Sequence, residues 1–544
     1  MTAAPPSAWT PSWSEDTTEA ITVVAVGPAR RDATLSATLL GLGLFALYCL
    51  AVPGAIDGLD AQAMSGVTRS LLDHGGVDIS SAYGVPGLHG LSYSKYGPAQ
   101  SLLASPLFLL GHTLSGLAPA FYRPEVPTLV ASFLPALLTA LTAVLLVLTA
   151  IELGASTRGA LMLGLVYGLA TPAAVYAVQW FSEPAAACAL LAAVYAVIRD
   201  RAGPTVWRPL LAGLTLSIAA ATRLDALLFA PVVLLYLRVP VHRRRARALA
   251  LVLPLVVTLG ALGLYDLARF GSPLQTGYGL GTLNPFDSID THPDRSPDAI
   301  LSALYGLFLS PGKGLVEYAP VVLLAPFGLV LLWRRRRAET ALLLALILVD
   351  SVAHANILIR WVGGWSWGPR FLVPVIPLVL LLAAPLLRPG RWRRNPATTA
   401  LVVLGIVGFA VQLPALIVHE PHTSLYDLRP AYDALPPTVD TQAARRTWID
   451  NTLRMERDYV AMPSSSPIVM GWQALWRPGT WTPRSAPVVA PTNVDGHSVT
   501  TAPHTWQRLL DEQGAPAGPL LLVSALLALT GLALLNGAFA RARR

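Results

Sequence analysis

Cysteine is almost absent: Cys49 and Cys188 are the only two in 544 residues, and both sit inside apolar runs. That excludes a disulfide framework and a thiolate metal site. Charge is also scarce, at 13% of the chain against 54% hydrophobic residues, with a mean hydropathy of +0.54. Soluble domains carry about a quarter charged residues, so this composition belongs in a bilayer. A net charge of +8 does not make a nucleic-acid binder here, because no basic face interleaved with aromatics occurs. No short apolar region with a small-residue cleavage site precedes the first long apolar run, so that run is expected to stay as an anchor.

What is present is a series of runs near the length of about 20 apolar residues that a membrane helix needs. They lie at 34–53, 128–150, 158–178, 183–199, 207–222, 225–239, 247–266, 319–333, 339–358, 370–387, 398–418 and 518–537. The run 99–117 is apolar enough to join them, but crossing there would put Arg30 and Arg31 opposite every later basic cluster. Those clusters fall at 199–208, 242–247, 334–337, 388–394 and 541–544. The positive-inside bias therefore lays 99–117 along the outer face as a surface or re-entrant helix, leaving about twelve spans with both termini cytoplasmic. The expected fold is an all-α polytopic membrane protein. Residues 1–33 form a disordered cytoplasmic tail and 34–418 the transmembrane domain, with 54–127 as its first extracytoplasmic loop. The segment 419–517, with five Trp among many Pro and Ser, is expected to be irregular and extracytoplasmic. The last span and a basic tail, 518–544, close the chain.

The unusual polar residues fall in the outer segments. Asp57 and Asp60 are three residues apart at the start of an amphipathic stretch that ends at His74-Gly75-Gly76, a helix-stop pattern. The two carboxylates would share a helix face; the plain alternative is that one of them caps the helix. In Tyr93-Ser94-Lys95-Tyr96-Gly97-Pro98, a cation between two tyrosines could meet a lipid phosphate, or could snorkel from an aromatic belt. Charges inside spans cost roughly 2.5 to 3.5 kcal/mol at mid-membrane, which draws attention to Glu183 and to Arg223, either as site residues or, for Arg223 with Asp225, as a structural pair. Asp266 and Arg269 follow the same logic. Lys313 stands between two glycines, where backbone N–H groups and an ammonium could cradle an anion, or where a tight turn could expose a lysine. The run 360–371 gathers Trp361, Trp365 and Trp367 with Arg360 and Arg370 at an outer boundary. An aromatic belt explains the indoles but not two arginines against the positive-inside bias.

Taken in order, these blocks resemble the GT-C superfamily of polyprenyl-phosphate-sugar-dependent glycosyltransferases, nearest its protein mannosyltransferase and aminoarabinose transferase branch. The matching pieces are an acidic residue after the first span, the 93–103 run, Phe181-Ser182-Glu183-Pro184, Thr222-Arg223, the blocks 269–278 and 309–315, and 365–372. The first loop reads Leu-Asp-Ala-Gln without the Asp-Glu pair of many relatives. The sequence thus leaves the divalent metal used in some branches open but unsupported, and it points to no other cofactor.

The resemblance implies transfer of a sugar from a polyprenyl phosphate to a hydroxyl of a glycan, lipid or protein, on the extracytoplasmic face of the plasma membrane. Asp60 is the expected general base, with Asp57 beside it. Lys95, Arg223, Lys313 and Arg370 would hold the departing phosphate. Tyr93, Tyr96, Glu183, Arg269 and Trp365 complete the expected substrate-binding set. The rival class is a transporter or flippase of lipid-linked sugars. It would favour repeated halves and mid-membrane charges, and the sequence has no visible repeat.

Overall fold

The computed structural model describes residues 28–56, 58–81, 83–118, 120, 123–238, 244–279, 294–363, 366–388, 395–418 and 517–542. Short pieces at 466–469, 472, 492–494 and 497–499 are also described. The expected disordered tail over 1–33 is not disordered throughout, since Pro28 onward begins the first helix; residues 1–27, Asp57, Trp365 and nearly all of 419–517 lie outside the described residues.

Helices occupy each expected stretch. They are α1 (Pro28–Ala51), α2 (Leu59–His74), α3 (Ala99–Ser115), α4 (Val126–Ser132), α5 (Leu134–Glu152), α6 (Thr157–Ala170), α7 (Ala173–Tyr176), α8 (Glu183–Ala202), α9 (Trp207–Thr222), α10 (Phe229–Tyr236) and α11 (Arg244–Phe270). After these come α12 (Pro297–Leu309), α13 (Leu315–Tyr318), α14 (Ala325–Arg335), α15 (Arg337–His354), α16 (Ile376–Leu381), α17 (Pro396–Val418) and α18 (Ala517–Arg541). Among the described residues, five helical stretches are long and apolar enough to cross a membrane: Arg30–Ala51, Val126–Glu152, Arg244–Phe270, Pro396–Ile417 and Leu521–Arg541.

Three expectations change. The helix expected over 158–178 stops at Ala170, because Pro172 has no N–H to give and holds Thr171 extended. The Thr171 hydroxyl accepts the N–H of Ala173 at 3.2 Å and starts the short α7. The stretch 370–387 likewise divides into a 3₁₀ turn at Arg370–Leu372, then α16, then a second turn at Ala384–Leu387, with Pro374, Pro377 and Pro385 as breakers. Finally, the first loop is not all helical. It folds back as β1 (Asp78–Ile79), β2 (Val85–Pro86) and β3 (Ser92–Tyr93), an antiparallel sheet in the order β1-β3-β2. The described residues of 419–517 include one hairpin, β4 (Thr492–Val494) with β5 (His497–Val499).

Helix α8 is the post of the bundle. Its run Pro-Ala-Ala-Ala-Cys-Ala lets neighbours approach from every side, and nearly all of it is buried. It packs on α5 and α9, and α9 in turn packs on α11. Pro184 is preset for its first turn, which fixes Glu183 at the helix start. At the other end, Asp200 of α8 pairs with Arg247 of α11, both fully buried. Glu152 receives Arg30 at 2.6 Å and Arg199 at 3.6 Å, and Glu339 meets Arg201 at 3.6 Å. The basic clusters that set the expected topology are therefore partly spent on ion pairs.

Candidate active site

Five elements bring their polar residues to the Glu183 end of the bundle. Helix α2 presents Asp60 in its first turn. It ends where expected, with Gly75 at φ 71° and the N–H groups of Gly75 and Gly76 returning to Leu71 and Ser70. The loop after β3 carries Lys95 and Tyr96 and is pressed against the end of α9. A Cβ on Gly97 would stand 2.1 Å from the Ala221 carbonyl oxygen, so only glycine lets the two chains meet. Arg223 and Asp225 follow α9, Glu183 begins α8, and Arg370 opens the broken stretch before α16.

Arg370 is the crossing point. Its Nη2 donates to Asp60 Oδ2 at 2.7 Å and its Nε to Glu183 Oε1 at 2.6 Å, while the guanidinium lies 4.1 Å from the Phe181 ring centre. Arg223 Nη1 donates to the same Glu183 oxygen at 2.7 Å, and Nη2 and Nε reach Asp225 Oδ2 at 3.1 and 3.3 Å. The Tyr96 hydroxyl donates to Asp60 Oδ1 at 2.5 Å. The Lys95 ammonium lies 5.4 Å from the ring of Tyr96 and 5.9 Å from that of Tyr278. The side chains of Asp60, Asp225, Arg223 and Arg370 are 24%, 19%, 15% and 12% exposed, whereas Glu183 is fully buried. The network thus opens on the Asp60 side.

Burial would push the Asp60 carboxyl upward. The Arg370 and Lys95 charges, with hydrogen bonds from Tyr96 and Arg370, outweigh it and hold the group below the usual carboxylate range. Burial and the facing Asp60 raise Tyr96 well above an ordinary phenol, so it remains a donor. Asp60 is therefore an ionised acceptor at neutral pH, with both oxygens already engaged and lone pairs to spare.

Asp60, Tyr96, Glu183, Arg223 and Arg370 are thus joined directly, with Lys95 at their edge. Three other expected site residues are placed differently. Tyr93 is buried in β3 with its ring edge-on to Phe270 at 5.9 Å. Arg269 is buried too: it pairs with Asp266 at 2.5 Å, donates to the Ser94 carbonyl and lies 3.6 Å from the Tyr265 ring centre. It ties the Lys95 loop to α11. Lys313, read from its glycines as an open anion cradle, is 1% exposed and donates to Ser366, to its carbonyl and, at 3.1 Å, its hydroxyl. The N–H of Lys313 goes to Ser310 Oγ and that of Gly314 to the Ser310 carbonyl, so the turn consumes its own donors. Burial, with Arg370 nearby, pushes the Lys313 ammonium well down.

Sequence reasoning missed Asp350 and His354, which join the network through Asp225, with His354 Nε2 2.8 Å from Asp225 Oδ2. The signal was available: two titratable residues at i,i+4 inside an expected span are costly unless paired. Among the described residues, no group of three or more His, Cys, Asp and Glu side chains is arranged to hold a metal ion.

No family model and no curated protein matches the sequence. Solved structures similar to it include ArnT from Cupriavidus metallidurans in the apo state, at 16% identity and a TM-score of 0.43, over 91% of this chain and 75% of that one. ArnT bound to undecaprenyl phosphate gives 17% and 0.45, over 79% and 73%. The archaeal oligosaccharyltransferase AglB from Archaeoglobus fulgidus, in complex with an inhibitory peptide and a dolichol-phosphate, gives 11% and 0.41, over 82% of this chain and 56% of that one.

Proposed function

We propose that the chain is a membrane glycosyltransferase that moves a sugar from a polyprenyl-phosphate donor to an acceptor hydroxyl on the extracytoplasmic face. The observation that carries this reading is the placement of Asp60: a partly exposed carboxylate, ionised, held by Arg370 and Tyr96 with two further cations, Lys95 and Arg223, at the same end of an apolar bundle.

Attack of a hydroxyl on the anomeric carbon forms the new C–O bond as the sugar–phosphate bond breaks. The acceptor proton passes to Asp60, and the departing phosphate keeps the electron pair. Lys95, Arg223 and Arg370 are the cations within reach of that developing charge. Arg370 has two tasks, since a phosphate drawing on its guanidinium would loosen its hold on Asp60 Oδ2. The base would then gain proton affinity only once the donor is seated. Tyr96 and Tyr278, edge to face at 6.0 Å, offer rings to the sugar or the chain. Glu183 acts by spacing the two arginines.

The test is incubation of the purified protein in lipid with a panel of polyprenyl-phosphate sugars, comparing wild type with Asp60→Asn and repeating the assay with a chelator. Release of polyprenyl phosphate by wild type only is the expected result. Equal turnover by both proteins would remove Asp60 as the base. The broken helices at Thr171-Pro172 and 370–387 favour a transporter. Lipid crossing the bilayer without consumption of any donor would establish that reading instead.

A further inference from the structure

His354 ends α15 and is 2% exposed. Its Nε2 faces Asp225 Oδ2 at 2.8 Å; its Nδ1 faces the main-chain oxygen of Asp350 at 2.9 Å and the Asp350 carboxylate at 3.5 Å. Asp225 Oδ2 already takes two N–H groups from Arg223, so it can only accept. Both ring nitrogens must then donate, and a ring that donates from both is an imidazolium. The other groups against it do not alter this. Arg223 Nη2, 3.4 Å from Nε2, has no lone pair to offer, and the Phe371 ring stacks at 4.9 Å without charge. Among the described residues, the charged groups facing the ring are Asp350 on its own helix and Arg223 and Asp225 after α9.

The result is a ladder of alternating sign: Asp350, His354, Asp225, Arg223, Glu183, Arg370, Asp60. With a neutral ring, Asp225 would draw on Arg223 alone, the cation that Glu183 also needs. We propose that charged His354 is a positioning residue: by sharing Asp225 it leaves Arg223 on Glu183, and thereby keeps Arg370 centred on Asp60. His354 acts only through these neighbours. The kinetic half of the test rests on the transferase reading above.

His354→Gln keeps one N–H toward Asp225 but carries no charge. In this variant the acid limb of kcat/KM against pH, set by ionisation of Asp60, moves up by about half a unit or more, and Asp350→Asn moves it the same way. A folded His354→Gln enzyme with an unmoved limb overturns the proposal, since a purely structural role would lower stability and leave the limb in place. A second measurement needs no turnover. The ¹⁵N signals of the His354 ring in labelled wild type, assigned by their loss in His354→Gln or their displacement in Asp350→Asn, should show both nitrogens protonated at pH 7.5. One unprotonated nitrogen overturns the proposal. If wild type consumes no polyprenyl-phosphate sugar, the transferase reading falls, and the ring measurement alone decides this one.

Discussion

The two ends of α8 both bury a carboxylate, seventeen residues or about 26 Å apart along the helix. At one end Asp200 is closed. Its Oδ2 takes Arg247, its Oδ1 takes the Thr205 N–H at 2.8 Å, and the pair is sealed from solvent. At the other end Glu183 is open. Two arginines share its Oε1, its Oε2 has no partner among the described residues, and each arginine also holds a partly exposed carboxylate. Both ends bear the cost of buried charge. Only the first spends its charges entirely on itself; the second passes them along a chain that ends at a surface a ligand can reach.

The contrast is broken most strongly at the open end. Asp60→Asn should lower turnover of a polyprenyl-phosphate sugar by about 10² to 10⁴, the range for losing a general base, with the thermal unfolding curve in detergent little changed. Arg247→Met should do the reverse. It strands Asp200, so stability should fall by about 3 to 5 kcal/mol in denaturant titrations, while kcat per folded molecule holds. A fall in kcat with unchanged stability would mean that the closed end is not merely an anchor.

Tyr96→Phe sharpens the comparison with a smaller effect. It removes one charge-assisted hydrogen bond of about 1.5 to 3 kcal/mol from Asp60, so the acid limb of the pH–rate profile should rise by about one to two units, with kcat at neutral pH falling less than about tenfold. The smallest effect is in acid stability. Because the folded protein holds Asp60 below its usual range, its contribution is full above the ordinary carboxylate pKa of about 4 and is lost as pH falls through the lower folded value. Asp60→Asn should therefore flatten the stability curve below about pH 4 and leave it parallel to wild type above.

Much of the fold was legible, because apolar runs of membrane length have few other uses and Gly75 is a strong stop signal. The breaks at Thr171-Pro172 and within 370–387 were also written in proline, but hydropathy averages over breakers. In the site, single charges against an apolar background marked Asp60, Glu183, Arg223 and Arg370. Composition could not say that Arg269 and Lys313 would turn inward, since a cation beside glycines or aromatics serves an anion or a carbonyl equally well. Partner choice depends on contacts far apart in the chain, such as Arg269 with Ser94 and Lys313 with Ser366. His354 was overlooked because its helix looked like plain membrane anchor.

The Asp60–Arg370 pair joins residues 310 positions apart. At about 5 to 20 residues per second, a ribosome adds that length in roughly 15 to 60 s, during which α2 is complete and its carboxylate lacks Arg370. A chain interrupted anywhere before the 370 turn would carry the base and the Lys95 loop without the cation that gathers them. Truncated products should therefore accumulate as inert membrane proteins rather than as enzymes that act unselectively on lipid-linked sugars.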